Sequence, residues 1–249
     1  MKKGRKKVRG KSRFIIYWIM IIIFVGYGGH KATVFLRNMD MFKIKTIQVR
    51  GNTLVNSDYL WSIGEPLIGA NIFDIDKEDI SLRFKSISRI KNIKIMRIFP
   101  SKLLITVHER TGHFYIKDHT GDFHPLDKDG YVLDKADWYI EEDLPLINIV
   151  FNKADIPVGS KIEDNRIEQI FKVYDIICNS KINILSDISE FYFHNQDLHF
   201  VDIRSGCRVI LSRDDISEQI SRFIFLRNNQ GFRRNATVDL RFDSKIIVI

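Results

Sequence analysis

Residues 14–36 constrain this chain more than any other stretch. Phe14 to Gly29 is a continuous run without charge, and after His30 and Lys31 a second apolar stretch runs from Ala32 to Leu36. The first run alone would span roughly 24 Å as a helix, short of a ~30 Å hydrocarbon core, whereas carried to Leu36 it reaches about 34 Å. Lys31 lies close enough to the end to snorkel toward headgroups, and Tyr17, Trp18 and Tyr27 fall near the two interfaces. The expectation is one transmembrane helix over residues 14–36. A cleaved signal peptide is the competing reading. It requires a shorter apolar region and a small-residue cleavage site, and no such site follows Gly29.

Ahead of the run stand Lys2, Lys3, Arg5, Lys6, Lys7, Arg9, Lys11 and Arg13, with no acid among them. Such a cluster determines topology: residues 1–13 are expected to stay in the cytoplasm and the body to lie outside, a single-pass type II arrangement. The same cluster accounts for the net charge of +8, because without it the basic residues only equal the 31 acidic ones. A neutral body carries no footprint for a polyphosphate, so nucleic acid is not an expected partner. Gly4 to Ser12 imitates a phosphate loop but places five residues between its glycines where four are needed.

The body reads as α+β. Its first segment has the order strand, helix, helix, strand, strand: Ile44 to Arg50, then Ser57 to about Ile63, then a helix capped by Asp76 with Ile75 stapled onto Ile80, then Ile93 to Ile98 and Lys102 to Glu109. Leu103, Ile105 and Val107 alternate with Leu104, Thr106 and His108, the pattern of a strand with one buried face. Beyond Phe114 strand signals dominate. A hairpin is expected at Asp129-Gly130, and a second joins Asp197–Ile203 to Arg208–Leu211 through Ser205-Gly206. Between them Asp164 caps a helix with Ile167, Ile170, Phe171, Tyr174, Ile177 and Cys178 on one stripe. Another helix opens with Ser212 and Asp215 and aligns Ile216, Ile220, Phe223 and Ile224; two strands, Thr237–Phe242 and Lys245–Ile249, close the chain.

Candidate chemistry is sparse. His108, His113, His119 and His124 fall close together, but their spacing matches no zinc pattern. Asp127-Lys128-Asp129-Gly130 lacks the further oxygen ligands of a calcium loop and reads as a turn. Glu109-Arg110 reads as a solvated or structural ion pair at a strand end. Cys178 and Cys207 match no catalytic signature, and whether they pair is open. No catalytic, cofactor-binding or metal-ligating residue is assigned, so no enzyme and no cofactor is expected.

Arg97-Ile-Phe-Pro-Ser-Lys-Leu-Leu-Ile-Thr-Val-His-Glu-Arg110 resembles the R-x-[WF]-P-x-x-L-x-I-x-V-x-E-R run that closes the POTRA domain of the FtsQ/DivIB family. Ile47 to Asn52 resembles the first strand and turn of that domain. Leu126 to Val132 and Leu144-Pro-Leu146 resemble the start of the family's β domain, and Val238-Asp-Leu-Arg-Phe-Asp243 its V-D-L-R-[YF] strand. One departure is Gly112, where the family often carries proline. The resemblance implies a basic tail over 1–13, a transmembrane helix over 14–36, a POTRA domain (β-α-α-β-β) over 37–111 and a mainly antiparallel β domain with flanking helices over 112–249. It implies a non-enzymatic divisome scaffold in the bacterial inner membrane at the septum, docking FtsB with FtsL among other division proteins and so recruiting septal peptidoglycan synthesis.

A closing strand at a sheet edge would receive the partner by β-augmentation. Arg241, Phe242 and Ser244 are the expected partner-binding residues, with Ile246 and Val248 flanking them. Against this stands the reading of Thr237–Ile249 as an ordinary strand pair facing the core. Two other functions are weighed: a membrane-anchored periplasmic wall enzyme, which needs a convergent catalytic cluster, and a POTRA-type chaperone or secretion component, which usually carries several repeats or a barrel.

Overall fold

The computed structural model describes residues 11–37, 39–118, 120–135, 144–150, 157–180, 182–242 and 245–249. Helix α1, Lys11–Arg37, has 27 residues, about 40 Å of rise, and is apolar enough over Phe14–Lys31 to cross a membrane. The chain divides into two compact units, one holding residues up to 50, α1 included, with 58–80 and 94–106, the other holding 51–57, 81–93 and 107–249.

In the first unit β1 (Thr46–Arg50) runs parallel to β3 (Lys102–Glu109), with Thr46 opposite Lys102 and Arg50 opposite Thr106. β2 (Ile90–Ile98) lies on the other side of β3 and starts three residues earlier than the pattern predicts. A parallel pair cannot be joined by a tight turn, and α2 (Ser57–Gly64), α3 (Lys77–Lys85) and then β2 fill the connection. Asp76 caps α3 as expected, its carboxylate accepting the backbone N–H of Glu78 at 2.9 Å. Leu103, Ile105 and Val107 are all buried, so the alternation read from the sequence is the one the sheet uses.

The second unit carries an eight-stranded sheet in the order β11-β10-β9-β8-β7-β6-β4-β5. Its strands are β4 (Phe114–Lys117), β5 (Phe123–Leu126), β6 (Leu146–Asn148), β7 (Ile188–His194), β8 (Asp197–Asp202), β9 (Cys207–Leu211), β10 (Thr237–Asp239) and β11 (Ile247–Val248). The pairs β4–β6, β6–β7 and β9–β10 run parallel and the rest antiparallel. Helices α4 (Asn165–Cys178) and α5 (Ile216–Asn229) supply Ile167, Ile170, Val173, Ile220 and Phe223 to one continuous core with the strands. Asp164 caps α4 through Arg166 N–H at 2.8 Å. Cys178, expected on the buried stripe, is exposed and free, and Val173 takes its place inside.

Three expectations are corrected here. The Asp129-Gly130 turn exists, with Gly130 at φ +87°, but it closes only an isolated bridge between Leu126 and Val132; β5 makes its hairpin with β4. Asp215 does not cap α5 with its side chain. It sits at φ +52°, and the buried Gln219 amide holds the turn instead, accepting from Ser212 N–H at 2.9 Å and donating to Ser212 Oγ at 2.6 Å. Glu109 and Arg110 do not pair with each other. The Glu109 carboxylate accepts the backbone N–H groups of Thr53, Leu54 and Val55 at 2.8–2.9 Å, while Arg110 pairs with Asp127 and lies 3.7 Å over the Tyr131 ring.

Phe200 is fully buried and touches Phe191 and Phe223, at ring separations of 6.1 and 5.4 Å. Phe200→Ala is expected to cost about 3–5 kcal/mol in chemical denaturation, through lost burial and the cavity left behind. Burial raises the Glu109 carboxyl pKa, but the Leu54, Val55 and Thr53 donors outweigh it and hold the group below its ordinary 4.5. The stabilisation is therefore complete above pH 4.5 and fades as acid titrates the folded carboxylate. Denaturation midpoints of the protein and of Glu109→Gln should differ most at neutral pH and converge as the pH falls below 4.5.

Candidate docking edge of the C-terminal sheet

The chain leaves β9, crosses through α5 and returns as β10, which lies parallel to β9 with Thr237, Val238 and Asp239 opposite Arg208, Val209 and Ile210. Val238 and Leu240 are buried on the core face. β11 then folds back antiparallel, pairing Ile247 with Asp239 and Val248 with Val238. Thr237 and Ile249 exchange two backbone hydrogen bonds, at 2.8 and 3.0 Å. Antiparallel ladders alternate, so Val248 directs its N–H and C=O away from β10. Among the described residues β11 is the edge of the sheet, and Val248 is half exposed there.

Side chains fix Arg241 and Phe242 after β10. Arg241 donates from Nε to Asp239 Oδ1 at 2.9 Å and from Nη1 to Asp197 Oδ2 at 2.7 Å. The Arg241 hydrogen bond holds the Asp239 carboxyl below its usual range, and Asp239 in turn raises the guanidinium. Burial, helped by the neighbouring His194, pushes His199 down and favours its neutral form beside this pair. Arg222 of α5 donates from Nη1 to the Phe242 carbonyl at 2.9 Å, while the Phe242 ring stays 47% exposed. Ile246 packs against the margin of the core.

Beside β11 opens a groove of about 870 Å³, floored by Phe232, Ile246 and Val248. Arg222, Arg233, Arg234 and Lys245 line it, and no Asp or Glu side chain does among the described residues. The outward N–H and C=O of Val248 therefore stand next to a groove with both apolar and cationic lining.

A model of the FtsQ-type POTRA domain matches residues 42–110, and one of the FtsQ/DivIB C-terminal domain matches residues 114–241, more than half of the chain. The chain belongs to the FtsQ/DivIB family. It is 26% identical over 185 residues to the cell division protein FtsQ of Syntrophotalea carbinolica, a match over 74% of this chain that spans 64% of that relative. It is 26% identical over 226 residues to DivIB of Clostridium botulinum strain Hall, covering 89% of this chain and 81% of that protein. It is 25% identical over 189 residues to DivIB of Clostridium acetobutylicum, covering 74% and 72%. The C-terminal match of the FtsQ/DivIB family stops at Arg241, so Phe242 and β11 lie beyond it.

Of the residues expected to bind a partner in this FtsQ/DivIB protein, the structure brings Arg241, Phe242, Ile246 and Val248 to one end of the sheet; Ser244 lies outside the described residues. The guanidinium of Arg241 is engaged within the chain, by Asp239 and Asp197. Asp197, Arg222 and the Arg233-Arg234 pair were not singled out from the sequence; only the adjacent arginines left a visible signal. Of the residues expected to determine topology, Lys2, Lys3, Arg5, Lys6, Lys7 and Arg9 lie outside the described residues, and Lys11 and Arg13 open α1. His119 also lies outside, His113 Nδ1 is 3.0 Å from the Thr111 carbonyl, and His124 Nε2 is 3.0 Å from Asp118. No group of three or more metal-ligating residues forms among the described ones. Cys207 is buried and free.

Amide hydrogen exchange tests the register at the edge. Ile247 N–H, facing β10, should exchange measurably more slowly than Val248 N–H, which faces outward. Equal protection at the two positions would contradict the open edge.

Proposed function

We propose that this FtsQ/DivIB protein is a non-enzymatic scaffold of the divisome, docking FtsB together with FtsL through β11 and so bringing septal peptidoglycan synthesis to the division site. Residues 1–13 form its cytoplasmic tail, 14–36 its single span of the inner membrane, 37–111 its POTRA domain and 112–249 its β domain, with the body on the periplasmic side. Family membership and the apolar helix α1 support this reading, and the basic tail supports the orientation.

The observation that carries it is the outward-facing main chain of β11 beside the cationic groove. A partner strand laid along β11 would gain backbone hydrogen bonds worth roughly 0.5–1.5 kcal/mol each. Two residues of edge offer few of them, so most of the affinity falls to side chains. Phe242 serves as the aromatic anchor, Ile246 and Val248 as flanking apolar contacts, and Arg233, Arg234 and Lys245 as the cations that meet an acidic partner segment. Arg241 acts by holding the Phe242 turn in place through Asp197 and Asp239.

Co-purification of the full chain with FtsB and FtsL from detergent tests the assignment. Phe242→Ala and Val248→Pro should each retain native circular dichroism and lose at least about 1.4 kcal/mol, or tenfold, of affinity. Proline at 248 removes the outward donor without touching the bonds to β10. Undiminished binding by a folded double variant would remove β11 as the docking strand.

A further inference from the structure

The first unit carries an aromatic and basic surface at the end where α1 joins it. Helix α1 ends at Arg37, and the short 3-10 turn Asp40–Phe42 follows within three residues. Two Cα steps reach at most about 7.6 Å, so Met39 lies within that distance of the helix end. Backbone bonds stitch three segments together at this point. Ile72 N–H donates to the Phe42 carbonyl at 2.9 Å, Ile44 N–H to Ala70 at 2.9 Å, and Lys45 N–H to Ser101 at 2.8 Å.

These three segments bring Phe42, Phe73 and Phe99 into a ladder with ring centroids 5.2 and 5.3 Å apart. Phenylalanines normally gather inside a domain, but Phe99 is 56% and Met41 50% exposed, with Ile68 and Ile98 exposed beside them. Lys43, Lys45 and Lys102 stand among these residues against the acids Asp40 and Asp74, and Asp40 is bridged by Lys43 at 2.6 Å. Apolar rings bordered by lysines, a few residues from an apolar helix, match the chemistry of the headgroup/acyl boundary of a bilayer, which takes up exposed apolar side chains and attracts cations to phosphate.

We propose that this end of the first unit rests in the headgroup layer of the bilayer crossed by α1. Phe99, Phe73 and Met41 enter the interface, and Lys43, Lys45 and Lys102 lie against anionic phosphates. The proposal rests on α1 being a membrane span, and it holds for either orientation of that span. The occupant is lipid because the tether leaves the surface no freedom to move far from the bilayer. Anchored at both α1 and this surface, the first unit would lose the swivel that a single helix allows.

The test uses the full chain in vesicles of phosphatidylethanolamine and phosphatidylglycerol, with p-benzoylphenylalanine replacing Phe99. A second protein carries it at Tyr59, exposed at the start of α2, beyond the opposite end of β1. After illumination, mass spectrometry is expected to find lipid adducts several-fold more abundant at position 99, falling when phosphatidylcholine replaces phosphatidylglycerol. Adduct yields at 99 no higher than at 59, or crosslinks from 99 to protein instead of lipid, would overturn the proposal. Alkaline extraction separates the two premises: protein released by carbonate means that α1 does not span, whereas retained protein without adducts at 99 refutes the interfacial surface alone.

Discussion

The parallel pairing of β10 with β9 organises the C-terminal unit. Consecutive strands that lie side by side in the same direction need a crossover, and α5 supplies it over 14 residues. Because α5 must cover the sheet to make that return, its Ile220, Phe223 and Ile224 become core residues. Its Arg227 is pinned beneath the helix by Asp187 and by Asp202, whose carboxylate also holds Ser205. The crossover places β10 inside the sheet and leaves the margin to β11. Everything said of docking follows from that order: an ordinary hairpin after β9 would have given the margin to a different stretch of chain.

Local signals in the sequence were readable wherever one side chain did one local task. Asp76 and Asp164 cap the helices they precede, and Ser205-Gly206 turns the hairpin between β8 and β9. Leu103, Ile105 and Val107 mark the inner face of β3. Strand β7 was not readable. Its register shifts between Ile188 and Glu190, which breaks the alternation, and its turn uses Asn195 and Gln196 at positive φ where a glycine would have announced it. The parallel pairings were hidden for another reason: strand direction is set by connections tens of residues away, and periodicity carries no trace of it.

The candidate site divides in the same way. Arg241 and Phe242 stood out through the Val-Asp-Leu-Arg-Phe resemblance, but the partner of Arg241 across the sheet is Asp197, 44 residues earlier. Glu109 illustrates the limit from the other side. Next to Arg110 it looks like half of an ion pair, whereas its carboxylate organises residues 53–55 and leaves Arg110 to Asp127 and Tyr131. Adjacent opposite charges on a strand point to opposite faces, so each finds its counterpart by topology.

A run of ring contacts, Phe114 to Phe191 to Phe200 to Phe223 to Phe232, extends from β4 across the sheet to the groove floor. At the far end of that run, β11 pairs through Ile247 and Val248, and Ile249 adds two backbone bonds to Thr237. Among the described residues only Val248 of that strand turns its N–H and C=O outward, so a like molecule laid against this margin would gain few bonds, which disfavours end-to-end stacking of copies.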